Sequence, residues 1–599
     1  MDERTEGYAP LRDYAAIGDG RTIALVAKDG SIDWLCLPHL DSSAVFAGLL
    51  DAKRGGAFSL APTVPYDMHR HYLEGSNVLE ATFSTDTGTA RVTDAMTIPS
   101  AGWSADLCPE RELVRCVEGV AGVVSFHWSV APRFHNAQAR TRIGRRDGVP
   151  MAWCRGDAFA VCSWDAGLPN VMNEEIFGTF STAGSRALVV LSAAHGKPLV
   201  LPARSEVEAR LETTIAWWKS WTITYDGPWR EAVERSALAL KLLVHAPSGA
   251  VAAAATTSLP EEIGGERNWD YRFSWVRDSA FILSALLQLG RSDEAEAFFW
   301  WVMHASQRTH PRLQVLYRLD GGSRATERPI DLAGYQQSRP VRVGNGAADQ
   351  VQLDIYGDLL QAAWLFAGAG NPIDADIARR LAEIADLVCR IWTEPDAGLW
   401  EVRSGPQHFT QSKIMCWIAL DRAIRLGERG ALPSGHVGQW REQATKIQTF
   451  LEERCWSETK RSYVRFAGTE DLDASLLLGV LFGYVPLVEG RLEATVEAIR
   501  VELSHGLLVH RYAGEDGLAG QEGAFLACSF WLAEALARVG RHQEALDLMD
   551  GLVALANDVG LFAEEIDPTS GAFLGNLPQA LTHLGLINAA LAVQPNVSK

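Results

Sequence analysis

Near residue 204 the periodicity of this chain changes, and that change limits what it can fold into. Before it, apolar residues come in short runs broken by Gly-containing turns. From Pro228 onward they recur every three to four residues, the spacing of amphipathic helices. Thr22 to Ala27 and Ser31 to Leu35 flank Lys28-Asp29-Gly30, an Asp-Gly hairpin signal. Val78 to Phe83 and Ala90 to Thr97 repeat the scheme around Asp86-Thr87-Gly88. Val114 to Val117 and Val123 to Trp128 flank a further Gly-containing turn, and Ala187 to Leu191 is a short apolar strand. Many short strands joined this way predict an antiparallel β-sandwich.

Ser205 to Trp218, with Val207, Leu211 and Ile215 four apart, predicts a linking helix. Beyond it the spacing predicts helices near 229–245, 278–290, 292–307, 349–367, 373–393, 410–427, 435–453, 473–482, 489–503, 521–538, 541–556 and 578–592. Gly-marked connections such as Leu289-Gly290-Arg291 separate them. No short fixed period repeats, so a solenoid is disfavoured. Helices of this number suit a closed ring of hairpins, an inner set sheathed by an outer one. The predicted organisation is a β-sandwich over 1–203, a helical linker over 204–227 and an all-helical barrel over 228–599. The longest connection, 308–346, is rich in Gly, Arg and Pro, and connections of that length are usually functional or mobile.

A chain of 599 residues exceeds one ordinary core. Its net charge of −19 argues against nucleic acid or an anionic membrane as partner. The N-terminus, Met1-Asp2-Glu3-Arg4-Thr5-Glu6, leads into no apolar stretch of the secretory kind. The nine cysteines lack paired CxxC spacing, which indicates neither a zinc site nor a disulfide framework, and suits a reducing cytoplasm. No cofactor or metal cluster is discernible, and a homo-oligomer is compatible with the sequence.

Three segments set aromatics beside charge: Arg267 to Asp278, Leu399-Trp400-Glu401, and Phe562-Ala563-Glu564-Glu565. Such pairings suit a site that grips a sugar ring and moves a proton at its glycosidic bond. Glu401 beside the Trp400 indole has the setting of a general acid, because an apolar neighbour disfavours the charged form. Glu564, amid Glu565 and Asp567, has the wetter, acidic setting expected of a base that must stay ionised. Taken singly, each glutamate is most often just a solvated loop residue. Arg277 and Asp278 open a helix, where Asp is commonly an N-cap; the alternative is that the pair holds sugar hydroxyls. Trp269, Tyr271 and Trp275 offer apolar faces for a sugar ring, or simply core packing.

The order and spacing of these segments resemble family 15 glycoside hydrolases, which include glucoamylases, glucodextranases and a bacterial branch of trehalases. The resemblance runs through Glu266 to Gly290, Asn345 to Gly357, Gly398 to Arg403, Leu561 to Asp567, and Pro578-Gln579-Ala580 with His583-Leu584-Gly585. Asp13-Tyr14 through Leu37-Pro38 resembles the β-domain of the trehalase-like members. The resemblance implies an N-terminal β-sandwich followed by an (α/α)6 barrel, and inverting hydrolysis of an α-glucoside from its non-reducing end to release β-glucose. It matches Glu401 to the general acid and Glu564 to the general base. Arg277 and Asp278 match the pair holding the terminal glucose, with Trp400, Arg511 and His583 lining the same subsite. It favours α,α-trehalose as substrate, with malto- or isomalto-oligosaccharides as the alternative. An inverting phosphorylase and a non-catalytic sugar-binding protein are the rivals from other classes. The two carboxyls are expected roughly 6.5–9.5 Å apart, to admit water.

Overall fold

The computed structural model describes residues 4–98, 109–182, 184, 186–514, 516–518, 520 and 522–594, which leaves Met1, Asp2, Glu3 and Cys108 outside the described residues. Sixteen strands between Tyr14 and His195 form two antiparallel eight-stranded sheets packed on one another. Ile23–Ala27 and Ser31–Cys36 pair as the Asp-Gly signal requires, with Leu25 opposite Trp34 and Gly30 at φ 81°. Leu79–Thr85 and Gly88–Met96 form the second expected hairpin. The third turn is a different device. Arg111–Gly122 lies in one sheet, beside Gly88–Met96 and Arg186–His195, whereas Ser125–Val130 lies in the other, beside Phe58–Pro62 and Glu175–Ser181. The chain crosses between layers there, since both strands are apolar enough to sit in different walls of one core.

Helix α1 (Arg204–Ser220) docks on the sandwich through buried Val207, Leu211 and Trp218. Its Arg210 makes a two-pronged contact with buried Glu112, at 2.9 and 2.6 Å. The barrel follows as α2 (Arg230–Leu243), α3 (Ser279–Gln288), α4 (Ser292–Gln307), α5 (Ile355–Gly368), α6 (Ala375–Ile391) and α7 (Thr410–Glu428). It continues as α8 (Val437–Arg454), α9 (Leu477–Leu481), α10 (Arg491–Glu502), α11 (Leu526–Arg538), α12 (His542–Val553) and α13 (Ala580–Val593). Each helix falls within or beside a stretch marked by the sequence periodicity. The odd-numbered helices from α3 to α13 contact one another in sequence, and α13 returns to α3 to close the ring. The even-numbered helices sheathe them. The inner ring shows its place in its burial: α11 and α13 are buried on nearly every side, whereas outer helix α8 buries only Val437, Trp440, Ala444, Ile447 and Leu451. The fold is therefore an antiparallel β-sandwich joined to an (α/α)6 barrel, and no helix among the described residues is long and apolar enough to cross a membrane.

The two parts share one continuous apolar core. Trp34, fully buried in the sandwich, donates its indole N–H to the Ala255 carbonyl of the barrel at 2.9 Å. Arg272 is gripped by Asp270 and donates across to the Ser42 carbonyl at 2.7 Å. The 308–346 connection packs between them, with Tyr335 donating to the Ala9 carbonyl and Tyr8 to that of Gly334. The sandwich thus braces the very segment, 253–275, that leads into α3. Trp34→Ala removes a large buried side chain and a hydrogen bond together, and is expected to cost roughly 3–5 kcal/mol. Urea unfolding checks this, and a loss under about 1 kcal/mol would mean the contact does not anchor the two parts.

Candidate active site

A cavity lined by aromatic, charged and amide side chains opens at one end of the barrel. Its walls come from segments that lead into the inner helices. Trp275 and Arg277 precede α3, Gln350 precedes α5, Trp400 and Glu401 precede α7, Arg511 and Phe525 precede α11, and Gln579 precedes α13. The site therefore sits at the N-terminal ends of the inner ring. Free backbone N–H groups and the positive end of each helix dipole gather there, which favours carboxylates.

Glu401 lies on the cavity wall in a left-handed backbone conformation, φ 60°, which is strained for a residue with a side chain. Trp275 donates its indole N–H to Glu401 Oε1 at 2.7 Å, and Arg277 Nη1 stands 4.0 Å from the same oxygen. Burial pushes the Glu401 carboxyl above its ordinary value, opposed first by Arg277 and then by the Trp275 bond. Arg277 itself is drawn to Asp278 at 2.8 Å. Asp278 occupies the N-cap position of α3 but makes no capping hydrogen bond, so the capping reading fails and its carboxylate serves Arg277 instead. Trp400 donates to Asp473 Oδ1 at 2.8 Å and packs edge-on against Phe525.

Glu564 is fully buried and is absent from the cavity lining. Its Oε2 accepts the Asn576 N–H at 3.1 Å while its backbone N–H donates to the Asn576 carbonyl. Tyr271, on the wall between, faces the Glu564 carboxyl closely enough to lower its pKa, yet Oε1 completes no hydrogen bond. Tyr271 also meets the Trp275 ring edge-on at 5.3 Å. The two carboxyls are therefore linked through two aromatic side chains. Burial, and then the charge of Glu261, push Glu564 up to about 8. The sequence expectation of a wetter setting for Glu564 than for Glu401 is overturned: Glu564 has no exposure, while the Glu401 side chain keeps 21%.

Two further expectations change. His583 does not line the site; it is buried in the core, facing Ser236 at 3.0 Å and accepting the Phe562 N–H at 3.4 Å. Burial holds its imidazole down to about 3, so it is neutral, and it holds the backbone of Phe562 in the segment leading to Glu564. Trp269 lines the cavity, but the Arg342 and Arg403 guanidinium groups each lie 4.5 Å over its ring, which competes with sugar stacking.

Sequence reasoning missed the acidic network around Arg511. Arg511 Nη2 binds Glu261 at 2.8 Å and Glu522, and stands 3.5 Å from Glu565. Arg267 binds Asp516 at 2.7 and 3.0 Å and Glu522 at 3.2 Å. Glu261, Glu522 and Glu565 bring oxygens within 4.8 Å of one another, a spacing that could hold a cation, but the Arg511 guanidinium already reaches all three. These partners lie some 250 residues apart, 261 against 511 and 267 against 516. No local motif signals such a pairing.

With this geometry in view, residues 227–591 match the glycosyl hydrolases family 15, and residues 5–163 match the trehalase-like N-terminal family. The chain belongs to glycosyl hydrolase family 15. A trehalase of Mycolicibacterium smegmatis is 39% identical over 98% of this chain and 91% of its own. A trehalase of Thermoplasma volcanium is 35% identical over 98% of this chain and 94% of its own. A bacterial glucoamylase solved with acarbose shares the fold, with a TM-score of 0.71 over 99% of this chain and 95% of its own, at 14% identity. This family 15 chain is a glycoside hydrolase. The eight described cysteines are all free, seven of them buried.

Gly575, at φ 70°, packs against Glu564, and a Cβ there would come within 2.6 Å of the Glu564 Cβ. Gly575→Ala should displace the carboxyl and lower kcat on the order of 100-fold. Steady-state kinetics with unfolding as a control would check this, and native turnover would show that the carboxyl position is not critical.

Proposed function

We propose that this enzyme hydrolyses α,α-trehalose to two glucose molecules by a single displacement with inversion. The substrate reading rests on the named trehalases, similar over nearly the whole chain, and on the trehalase-like N-terminal match. The acid assignment is carried by one observation: Glu401 is held at the cavity wall by the Trp275 N–H, in a setting that favours its protonated form.

In this mechanism Glu401 protonates the glycosidic oxygen as the bond to C1 breaks. Water attacks C1 from the opposite face and gives a proton to Glu564. The attacked glucose leaves as the β anomer, and the other keeps its own anomeric oxygen and leaves as α. Arg277, held by Asp278, orients the first sugar's hydroxyls, with Tyr271, Trp275 and Trp400 against its ring, and Arg511 fixes the adjoining wall. Burial raises Glu401, which helps it hold the proton it donates, whereas Glu564, raised to about 8, accepts only once it has lost its own proton. The unpaired cysteines fit a reducing compartment such as the cytoplasm.

The test combines a panel of trehalose, maltose, isomaltose and starch with two substitutions. Trehalose should be cleaved at least tenfold better than the rest; preference for maltose or starch would replace this substrate with the malto-oligosaccharide alternative. Glu401→Gln and Glu564→Gln should each lower trehalose turnover on the order of 1,000-fold or more. α-Glucosyl fluoride needs no proton on its leaving group, so Glu401→Gln should keep most of that activity while Glu564→Gln loses it. The reverse pattern would exchange the two roles.

A further inference from the structure

The mechanism gives the first sugar its partners but names none for the sugar that departs. Side-chain exposure rises along the site, from 3% at Asp278 and 12% at Arg277 to 21% at Glu401 and 41% at Arg403. Glu401 and Arg403 line the same cavity, and Arg277 stands 4.0 Å from Glu401 on the buried side. A sugar held by Arg277 at the closed end therefore sets its glycosidic oxygen near Glu401 and its second ring towards the mouth. Arg403 is built into that mouth. Its backbone N–H donates to the Asp516 carbonyl at 3.1 Å, and a Cβ on Gly517 would come within 3.0 Å of its carbonyl carbon. Its guanidinium lies 4.5 Å over the Trp269 ring. Arg342 lies equally far over that ring and donates to the Glu266 and Asn268 carbonyls at 2.8 and 3.0 Å, which ties it to the strand carrying Trp269. Of these two arginines, Arg403 lines the cavity and Arg342 does not.

Glu327 serves both guanidinium groups. Its Oε1 stands 3.4 Å from Arg342, while its Oε2 stands 3.7 Å from Arg403 and accepts the Gly346 N–H at 3.0 Å. At 3.7 Å the Arg403 contact steers the guanidinium without using a hydrogen bond, so its N–H donors are left for a ligand. A guanidinium stacked on an indole and steered by one carboxylate loses little freedom when it donates to a hydroxyl. Glu327 precedes, and Arg342 lies in, the hairpin that Arg328–Ile330 and Val341–Val343 form within the long 308–346 connection. We propose that Arg403, stacked on Trp269 at the cavity mouth, binds hydroxyls of the departing sugar and is a specificity-determining residue. The proposal rests on the reading of Glu401 as the acid and of Arg277 as holding the first sugar. The leaving group it selects is a neutral pyranose. A leaving group without ring hydroxyls gains nothing from Arg403, so its removal weakens transition-state binding only for substrates that carry a second sugar.

The experiment compares kcat/KM for trehalose, methyl α-glucoside and α-glucosyl fluoride in the native enzyme and in Arg403→Ala. The methyl glucoside needs the acid but carries no second sugar, and the fluoride needs neither. Arg403→Ala should lower the trehalose value on the order of tenfold or more and leave the other two within about twofold. Arg403→Lys, which keeps the charge but not the planar fork, should fall between Arg403→Ala and the native enzyme. If Arg403→Ala fails to fold, Arg403→Gln carries the same expectation. An unchanged trehalose value overturns the proposal. So does an equal loss on trehalose and the methyl glucoside with the fluoride spared, which would mean that Glu401 had moved. A loss shared by all three substrates also overturns it, because it would place the effect on the first sugar. The readings beneath the proposal fail separately. Loss of fluoride hydrolysis in Glu401→Gln would remove the acid assignment. A native preference for maltose would replace the substrate, and the same comparison made with maltose would then decide the role of Arg403.

Discussion

Closure of the inner helical ring is the constraint on which the site depends. Asn588 of α13 donates to the Phe281 carbonyl of α3 across 307 residues of sequence, where the ring shuts. Once it is closed, the segments preceding the inner helices have one place to go. Trp275 and Arg277, Trp400 and Glu401, and Arg511 all reach the same cavity because each lies on a connection leading into an inner helix. The dipoles of those helices point positive ends at it, a standing field that helps hold so many carboxylates in little water. The sandwich contributes by bracing the entry to the ring through Trp34 and Arg272.

Within that field the two proposed catalytic carboxyls are treated differently. Glu401 keeps some solvent, one indole N–H and a distant guanidinium. Glu564 has no solvent, one backbone N–H and a neighbouring like charge. Burial raises both, so dryness alone does not assign acid and base. What distinguishes them is position: Glu401 stands on the wall where a leaving oxygen could reach it, while Glu564 lies behind Tyr271. A carboxyl raised towards 8 is also a stronger base once it has lost its proton.

The helical half of the fold was legible because apolar periodicity is a local property: outer helices such as α6 and α12 carry an apolar stripe, and inner helices such as α11 and α13 are apolar on nearly every side. The sheet switch after Arg111–Gly122 was not, since its turn has the same composition as a hairpin and only long-range pairing distinguishes them. Glu401, Arg277 and Trp275 could be found from local aromatic and charged context supported by family resemblance. His583 was misread because resemblance gives a position in the chain but not which side of a helix faces the site; on α13 it points into the core. The Arg511 and Arg267 network was invisible, because its members meet only after the ring closes.

The central claim, attack by water on the face opposite the leaving oxygen, is tested most directly by proton NMR of trehalose hydrolysis at early times, before mutarotation. Inversion predicts α- and β-glucose in equal amounts, with label from 18O-water found only in the β anomer. Glucose formed solely as the α anomer would mean retention, and would contradict the account.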